Sequence, residues 1–388
     1  MTSPGGEPNF SCMASNSDGL RGVTVAATSL THIDGERGRL TLSGYAIEEI
    51  APRCTFEEAC FLLFHRRLPN AAEMEDLSAQ LARARRMPGA LLAAARRAAA
   101  DRVAPMDALM TLATHLRPPR RDPEPVEIVT GLMIAAGCYA RLRTGAEPEL
   151  PPPGGSHVEA YLHLVGGGPP HPAAVRALET YLITVMDHGL NASTFAARVA
   201  AATHTDLLSC TLAALAALKG PRHGGAPGPA LEMVERISDI AQAAENLRGM
   251  LARGERLMGF GHGVYRTRDP RADVLAAALE ELIAAGIPGH AEARALWRKA
   301  RAIEQVALRV LADHRPGARL HTNVEFYTAL LLRAVGFGRE WFTPTFAVSR
   351  VVGWLAHAIE QRDSNVLLRP RAVYRGPRAR RWLPLDAR

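Results

Sequence analysis

Lysine is almost missing from this 388-residue chain: Lys219 and Lys299 are the only two, so arginine carries the net charge of +7. Such a lopsided choice fits codon composition better than a surface built for nucleic acid. Six arginines between Arg369 and Arg381 form the densest cluster, which reads as a solvated tail or a subunit contact. No nucleic-acid partner is expected. Cysteine is scarce as well. Cys12, Cys54, Cys60, Cys138 and Cys210 are odd in number and form no C-x-x-C pair. That argues against a disulfide framework and a zinc site, and it suits a reducing cytosol. The 14 histidines show no H-E-x-x-H or comparable spacing, so no metal is expected. Long hydrophobic runs are absent too, since none approaches the roughly 20 residues needed to span a bilayer. The best candidate, Leu207 to Leu218, carries Ser209 and Thr211 and reads as a core helix. The first residues, Met1 to Gly6, lack a basic stretch followed by an apolar one, so no secretory signal is read and a cytoplasmic protein is expected.

What is present points to helices. Apolar residues make up 47% and aromatics only 5%, with alanine and leucine abundant. The length suggests two or three domains. Residues 1–20 are rich in Gly, Pro, Ser and Asn. Val23 to Thr28 and Leu40 to Tyr45, around the turn at Asp34-Gly35, predict a small hairpin. Thr55, ahead of Glu57 and Glu58, predicts a helix N-cap. Helices are predicted over 173–188, 192–218, 228–252, 270–284, 291–313, 324–335 and 344–361. The expected fold is all-α with that minor β element. A large helical domain takes residues 1–223 and 331–388, and a small one takes 224–330, with a crossing at Gly224-Gly225.

Three short segments carry the chemistry. His223 lies between Pro221 and Gly224-Gly225, just before a helical stretch. A neutral imidazole there can donate a hydrogen bond to a developing enolate oxygen, the alternative being a plain turn histidine. Gly259-Phe260-Gly261-His262-Gly263 lacks the last glycine of a dinucleotide loop and any βαβ frame, so that reading is rejected. Arg266, Arg268 and Arg271 follow it, suited to phosphate or carboxylate or simply to a solvated helix start. Asp269-Pro270 has the form of an N-cap with proline at the first helical position. Glu325 sits among Val324, Phe326 and Tyr327; burial would raise its pKa towards that of a general base, whereas an exposed glutamate would do nothing. His188 precedes another helix. Arg350, Trp354, His357 and Gln361 share one helix face, which reads as a core face whose buried arginine needs an anionic partner.

Taken in order, these pieces resemble the citrate synthase family over nearly the full length. The matching segments begin at Gly19-Leu20-Arg21-Gly22-Val23 and Ile33-Asp34-Gly35, followed by Pro105-Met106-Asp107-Ala108-Leu109, Asp187-His188-Gly189 and Asn191-Ala192-Ser193-Thr194-Phe195. Later come Leu218-Lys219-Gly220-Pro221, Gly259-Phe260-Gly261-His262, Asp269-Pro270-Arg271, Phe342-Thr343-Pro344, Gly353-Trp354 and Arg369-Pro370.

The resemblance implies a two-domain helical homodimer that condenses acetyl-CoA with oxaloacetate and water, giving citrate and CoA within the tricarboxylic acid cycle. It implies that His223 stabilises the enolate, His262 polarises and protonates the ketone oxygen and Glu325 removes the methyl proton. His188, Arg271 and Arg350 would hold oxaloacetate, joined by Arg369 from the partner subunit, and Arg266 would contact CoA. No metal or redox cofactor is implied. The chain departs from the family pattern at Glu325, where aspartate is usual, at Gly263 and Ser43, where arginine is frequent, and at Arg222. The alternatives are a 2-methylcitrate synthase that uses propionyl-CoA and a catalytically silent paralogue that binds the ligands. One methylene discriminates by only about 1–3 kcal/mol, so the acyl choice stays open.

Overall fold

The computed structural model of the protein describes residues 20, 22–152, 154–221, 223, 227–287, 290–377 and 379–388. The expected crossing at Gly224-Gly225 lies outside the described residues, as do Cys12, Gly19, Arg21 and Arg222.

The chain opens with a three-stranded antiparallel sheet: β1 (Thr31–Asp34), β2 (Arg39–Leu42) and β3 (Tyr45–Ala46). This corrects the expected hairpin. Val23 to Thr28 lies outside the ladder, and β1 takes its place with Thr31 opposite Leu42 and Asp34 opposite Arg39. The reason is turn geometry: the strand that pairs is the one running straight into the Gly35 to Gly38 turn, and Val23 to Thr28 lies too far upstream.

Helices make up nearly all the rest. The first group is α1 (Ile47–Ile50), α2 (Phe56–His65), α3 (Ala71–Ala84), α4 (Gly89–Ala100) and α5 (Pro105–Ala113). Next come α6 (Pro125–Arg143), α7 (His157–Gly166), α8 (Pro172–Val185), α9 (Ala192–Ala201) and α10 (Leu207–Leu218). The last are α11 (Pro227–Arg236), α12 (Ala243–Ala252), α13 (Pro270–Ala284), α14 (Ala291–His314), α15 (Val324–Val335) and α16 (Phe342–Ser364). Thr55 caps α2 through a reciprocal pair with Glu58, and Asp269 caps α13 ahead of Pro270, as expected.

Two expected helices are split. The 192–218 stretch breaks into α9 and α10 because His204 takes a left-handed φ of 60° and the Asp206 carboxylate caps α10 by accepting from Ser209 N at 2.9 Å. The 228–252 stretch breaks at Asp239, whose carboxylate accepts from Ala241 N at 2.9 Å and starts a 3-10 turn before α12. A polar side chain that offers the backbone a local acceptor competes with helix continuation.

The core is built around α6 and α16. Residues Ile128 to Ala140 of α6 are buried on every face. Among the described residues this helix, rather than Leu207–Leu218, is the one long and apolar enough to cross a membrane by length and composition, and most of it is packed inside the protein. Helix α16 is buried from Thr345 to Ala358, apart from Phe346. At Gly353 it passes so close to the turn after α8 that an added Cβ would lie 2.5 Å from Met186 O. That contact sets α16 directly behind the residue pair Asp187-His188.

Candidate active site

Two loops are tied together at the start of α13 and α15. Gly261 N donates to His321 O at 2.7 Å, Asn323 N donates to Gly259 O at 2.9 Å, and the Asn323 side chain donates to Gly261 O at 2.7 Å. Asp269 adds a fourth tie by accepting from Val324 N at 3.1 Å. The knot holds His262 and Glu325, 63 positions apart in the chain, on adjoining backbone. Outside it, the β1–β2 turn braces the same loop. Arg266 N donates to Gly35 O at 2.8 Å, and a Cβ on Gly35 would lie 2.4 Å from Val264 O.

Two of the three expected catalytic residues, His223 and Glu325, line a small cavity of about 30 Å³. Arg271 lines it too, together with Tyr181, Val185, Pro227, Val324, Thr328 and Phe346. His262 joins through Arg271, whose Nη2 lies 3.4 Å from His262 Nε2. His188 stands behind it, its ring centre 5.7 Å from that of His262 and its Nε2 3.0 Å from Tyr265 Oη. Arg350 joins through Phe346, with its guanidinium 4.5 Å from the ring centre. Six of the eight expected site residues thus converge. Arg266 is exposed on the loop beyond the cavity, its Nε 4.0 Å from Glu36. Arg369 is exposed in the stretch after α16 and does not line the cavity of its own chain.

Hydrogen bonds assign the protons of both imidazoles. Ser193 N–H donates to His223 Nε2 at 3.3 Å, so that nitrogen is unprotonated and the proton sits on Nδ1. Ser193 Oγ, 2.7 Å from the same nitrogen, also accepts from Trp354 Nε1 at 3.0 Å. His262 Nδ1 accepts from Val264 N at 2.9 Å and from Tyr265 N at 3.1 Å, which leaves Nε2–H as a donor beside Arg271. Both rings are kept neutral. Burial, reinforced by Arg350, lowers His223 to about 4, and burial with Arg271 lowers His262 to about 4. Burial likewise holds His188 well below its ordinary value. A neutral imidazole that offers N–H is a hydrogen-bond donor for an oxygen gaining charge.

Glu325 behaves as a base should. Burial raises its carboxyl to about 7, against the opposing pull of Arg271 and Arg350. Its backbone N–H is capped by Asn323 Oδ1 at 3.0 Å, while its carboxylate has no hydrogen-bond donor among the described residues. The two arginines differ. Asp269 grips Arg271 through Nε at 3.0 Å and Nη2 at 2.9 Å, leaving Nη1 for a ligand. Arg350 is buried and donates only from Nε, to Val185 O at 2.6 Å. Burial lowers Arg350 to about 10 against the pull of Asp187 and Glu325, so it remains a cation at neutral pH, with no carboxylate in salt-bridge contact among the described residues. An uncompensated buried cation is costly, and a dianionic ligand would relieve that cost.

The helix face read as a core face does hold a charge network, but centred on Arg198. His357 Nδ1 accepts from Arg198 Nη1 at 2.7 Å, so its Nε2–H donates to Asp187 at 3.1 Å. Arg198 also donates to Glu360 at 2.8 Å and to Gln361 at 2.9 Å. Burial alone would raise Asp187, but His357 and Arg350 hold it below the usual carboxylate range. Thr31 of β1 donates to the same carboxylate, so the sheet, α9 and α16 all anchor the turn that carries His188. Sequence reasoning missed Ser193, Asp187, Arg198 and Tyr265 as supports and Tyr181 as a cavity residue. The first two stood inside matched segments; Tyr181, Arg198 and Tyr265 carry no local signal.

Comparison with known proteins agrees with this geometry. The family model described as citrate synthase, C-terminal domain, matches residues 19–371. Citrate synthase 2 of Bacillus subtilis strain 168 is 35% identical over 380 residues, 95% of this chain and 98% of that protein. A 2-methylcitrate synthase of Mycobacterium tuberculosis is 34% identical over 368 residues, 92% of this chain and 90% of that protein. Among solved structures, a ternary complex of carboxymethyl coenzyme A and oxaloacetate with citrate synthase from Thermoplasma acidophilum superposes with a TM-score of 0.83 at 31% identity, covering 95% of this chain and 98% of that one. A match running almost end to end in sequence and in fold leaves one assignment: the chain belongs to the citrate synthase family.

Proposed function

We propose that the protein condenses acetyl-CoA with oxaloacetate and water to give citrate and CoA. The observation that carries this reading is the single cavity where a carboxyl raised to about 7 meets His223, an imidazole kept neutral. Glu325 takes a proton from the acetyl methyl, and His223 Nδ1–H donates to the thioester oxygen as negative charge grows there. The enolate carbon then bonds to the ketone carbon of oxaloacetate as the C=O π bond breaks. The ketone oxygen, held by Arg271, takes the Nε2 proton of His262, which His262 recovers from the water that next attacks the thioester. Arg350, Arg271 and His188 hold the carboxylates. Water adds to the thioester of the resulting citryl-CoA, the carbon–sulfur bond breaks, and CoA leaves as the thiol. No electrons change hands, and we assign no metal or redox cofactor.

The finer parts of the reading are our own as well. Residues 224–330 form a small domain that closes on the large one and keeps water from the enolate. Arg266 meets CoA phosphate. Two copies pair, with Arg369 reaching the partner's site. Support comes from the exposed stretch after α16, where Val366, Leu367, Val373, Tyr374, Trp382 and Leu385 are each more than half exposed. A cytoplasmic setting suits four buried free thiols.

Release of CoA thiol on mixing the purified protein with oxaloacetate and acetyl-CoA tests the reading, with propionyl-CoA run in parallel. A higher kcat/KM for acetyl-CoA supports it. A higher value for propionyl-CoA gives the 2-methylcitrate reaction of the mycobacterial relative. No thiol from either, with oxaloacetate still raising Tm, leaves a binding protein.

A further inference from the structure

Among the described residues, Tyr139, Tyr161, Tyr181, Tyr265 and Tyr327 are buried tyrosines. Four of them have a hydrogen-bond partner for the hydroxyl. Tyr139 donates to Val103 O, Tyr161 meets Thr345 Oγ1 at 2.9 Å, Tyr265 meets His188 at 3.0 Å and Tyr327 donates to Glu304 at 2.6 Å. Tyr181, 1% exposed, has none among the described residues. Buried tyrosines normally pair that polar end, whereas the unpaired Tyr181 oxygen keeps some accessible surface.

Tyr181 also lines the cavity that holds Glu325. That cavity, about 30 Å³, has room for a water molecule or two. Tyr181, a donor without an acceptor, and Glu325, a carboxylate without a donor among the described residues, thus border the same cavity. Tyr181 and Val185 stand one turn apart on α8, and both face the cavity, so a rigid helix aims the phenol. The charges of Glu325 and Arg350 both act on the phenol, consistent with this proximity.

We propose that Tyr181 is a positioning residue for Glu325: its hydroxyl donates to the carboxylate, directly or through one water, and holds the arm at the acyl methyl. This rests on the reading of Glu325 as the base. A glutamate has one more rotatable bond than the aspartate of the family pattern, and a donor across the cavity removes that freedom. The charged and titratable groups facing Glu325 are Arg271 and Asp269 at the start of α13, Arg350 on α16, His223 before α11 and Tyr181 on α8. Of these, Tyr181 and His223, through Nδ1–H, are the neutral donors without another partner among the described residues, and the His223 donor is assigned to the thioester oxygen.

The test is the pH profile of kcat/KM for acetyl-CoA at saturating oxaloacetate. Tyr181→Phe keeps the ring and removes the donor, which leaves the ionised carboxylate less stabilised. Its acidic limb is expected to move up by about one pH unit, with a several-fold loss near pH 6.5 that shrinks above pH 8. Placing 3-fluorotyrosine at position 181 keeps the phenol and strengthens it as a donor, so the limb is expected to move down. This second arm decides the matter even if Tyr181→Phe fails to fold. A limb that stays at the wild-type pH in both proteins overturns the proposal. Wild-type protein that releases no thiol instead removes the reading of Glu325 on which it stands.

Discussion

Glu325 shows how one side chain's surroundings decide its role. In water a glutamate is ionised far below neutral pH and is a poor base; burial here raises it to about 7. Below that value the carboxyl carries its proton and cannot accept another, so the acidic limb of kcat/KM should fall near pH 7 and activity should rise with pH through it. Glu325→Gln should stop exchange of the acetyl methyl protons with deuterated solvent; wash-in at the wild-type rate would place the base elsewhere. The expected loss for His223→Ala is about 10²-fold or more in kcat, because it removes a donor aimed at an oxygen that gains charge. That variant should still show the oxaloacetate-induced rise in Tm, since Arg271, Arg350 and His188 are untouched. Wild-type turnover would take His223 out of the mechanism. Glu325 and His223 stood out in the sequence because asparagine and glycines lie beside them, whereas the parts of Arg271, Arg350 and His188 came from the family resemblance. Tyr181 did not stand out, since the missing partner of its hydroxyl is a property of a cavity assembled from α8, α11, α13, α15 and α16.

At the scale of elements, caps and close approaches place the site. Thr55, Asp269-Pro270 and Asn323 mark helix starts by offering side-chain oxygens to free backbone N–H groups, a local rule that survives folding. Helix continuity was harder to see, because the breaks at His204 and Asp239 rest on single turns inside stretches of good helix formers. The approach of α16 to the Asp187 turn gives a sharp test. In Gly353→Ala the new Cβ would stand 2.5 Å from Met186 O and 2.8 Å from Asp187 Oδ1, so the helix or the turn must shift. We expect a destabilisation of about 1–3 kcal/mol in denaturant unfolding. A smaller oxaloacetate-induced Tm shift is also expected, because His188 rides on the same turn. Unchanged stability and an unchanged shift would mean that the contact has slack.

Over the whole molecule, buried histidines make acid a threat. His157 is fully buried, stacks on Phe56 at 4.7 Å between ring centres, and neither ring nitrogen has a partner among the described residues. Burial, with Arg85 nearby, lowers it from 6.5 to about 3. Between those values the unfolded chain holds a proton that the folded one refuses, so this contribution to stability falls as pH drops below about 6.5. Glu57, Glu179 and Glu325, all raised by burial, act in the opposite sense. A difference measurement isolates His157: relative to wild type, His157→Phe should gain about 2 kcal/mol of stability on going from pH 7 to pH 5. An equal difference at both pH values would show that His157 titrates normally in the fold.

The order of residues along the chain was enough to settle the helical class, most helix starts and the identity of six side chains that meet. The class and the helix starts depend on short-range chemistry, because turn residues, caps and apolar spacing act within a few positions of one another. The six side chains were brought together by the family resemblance. Folding in three dimensions alone decided which nitrogen of each imidazole carries the proton, that Asp269 grips Arg271 while Arg350 has no carboxylate in salt-bridge contact among the described residues, and that Tyr181 shares a cavity with Glu325. Those outcomes depend on distances and burial between segments tens to hundreds of residues apart, and desolvation exists only once the core has closed around a group.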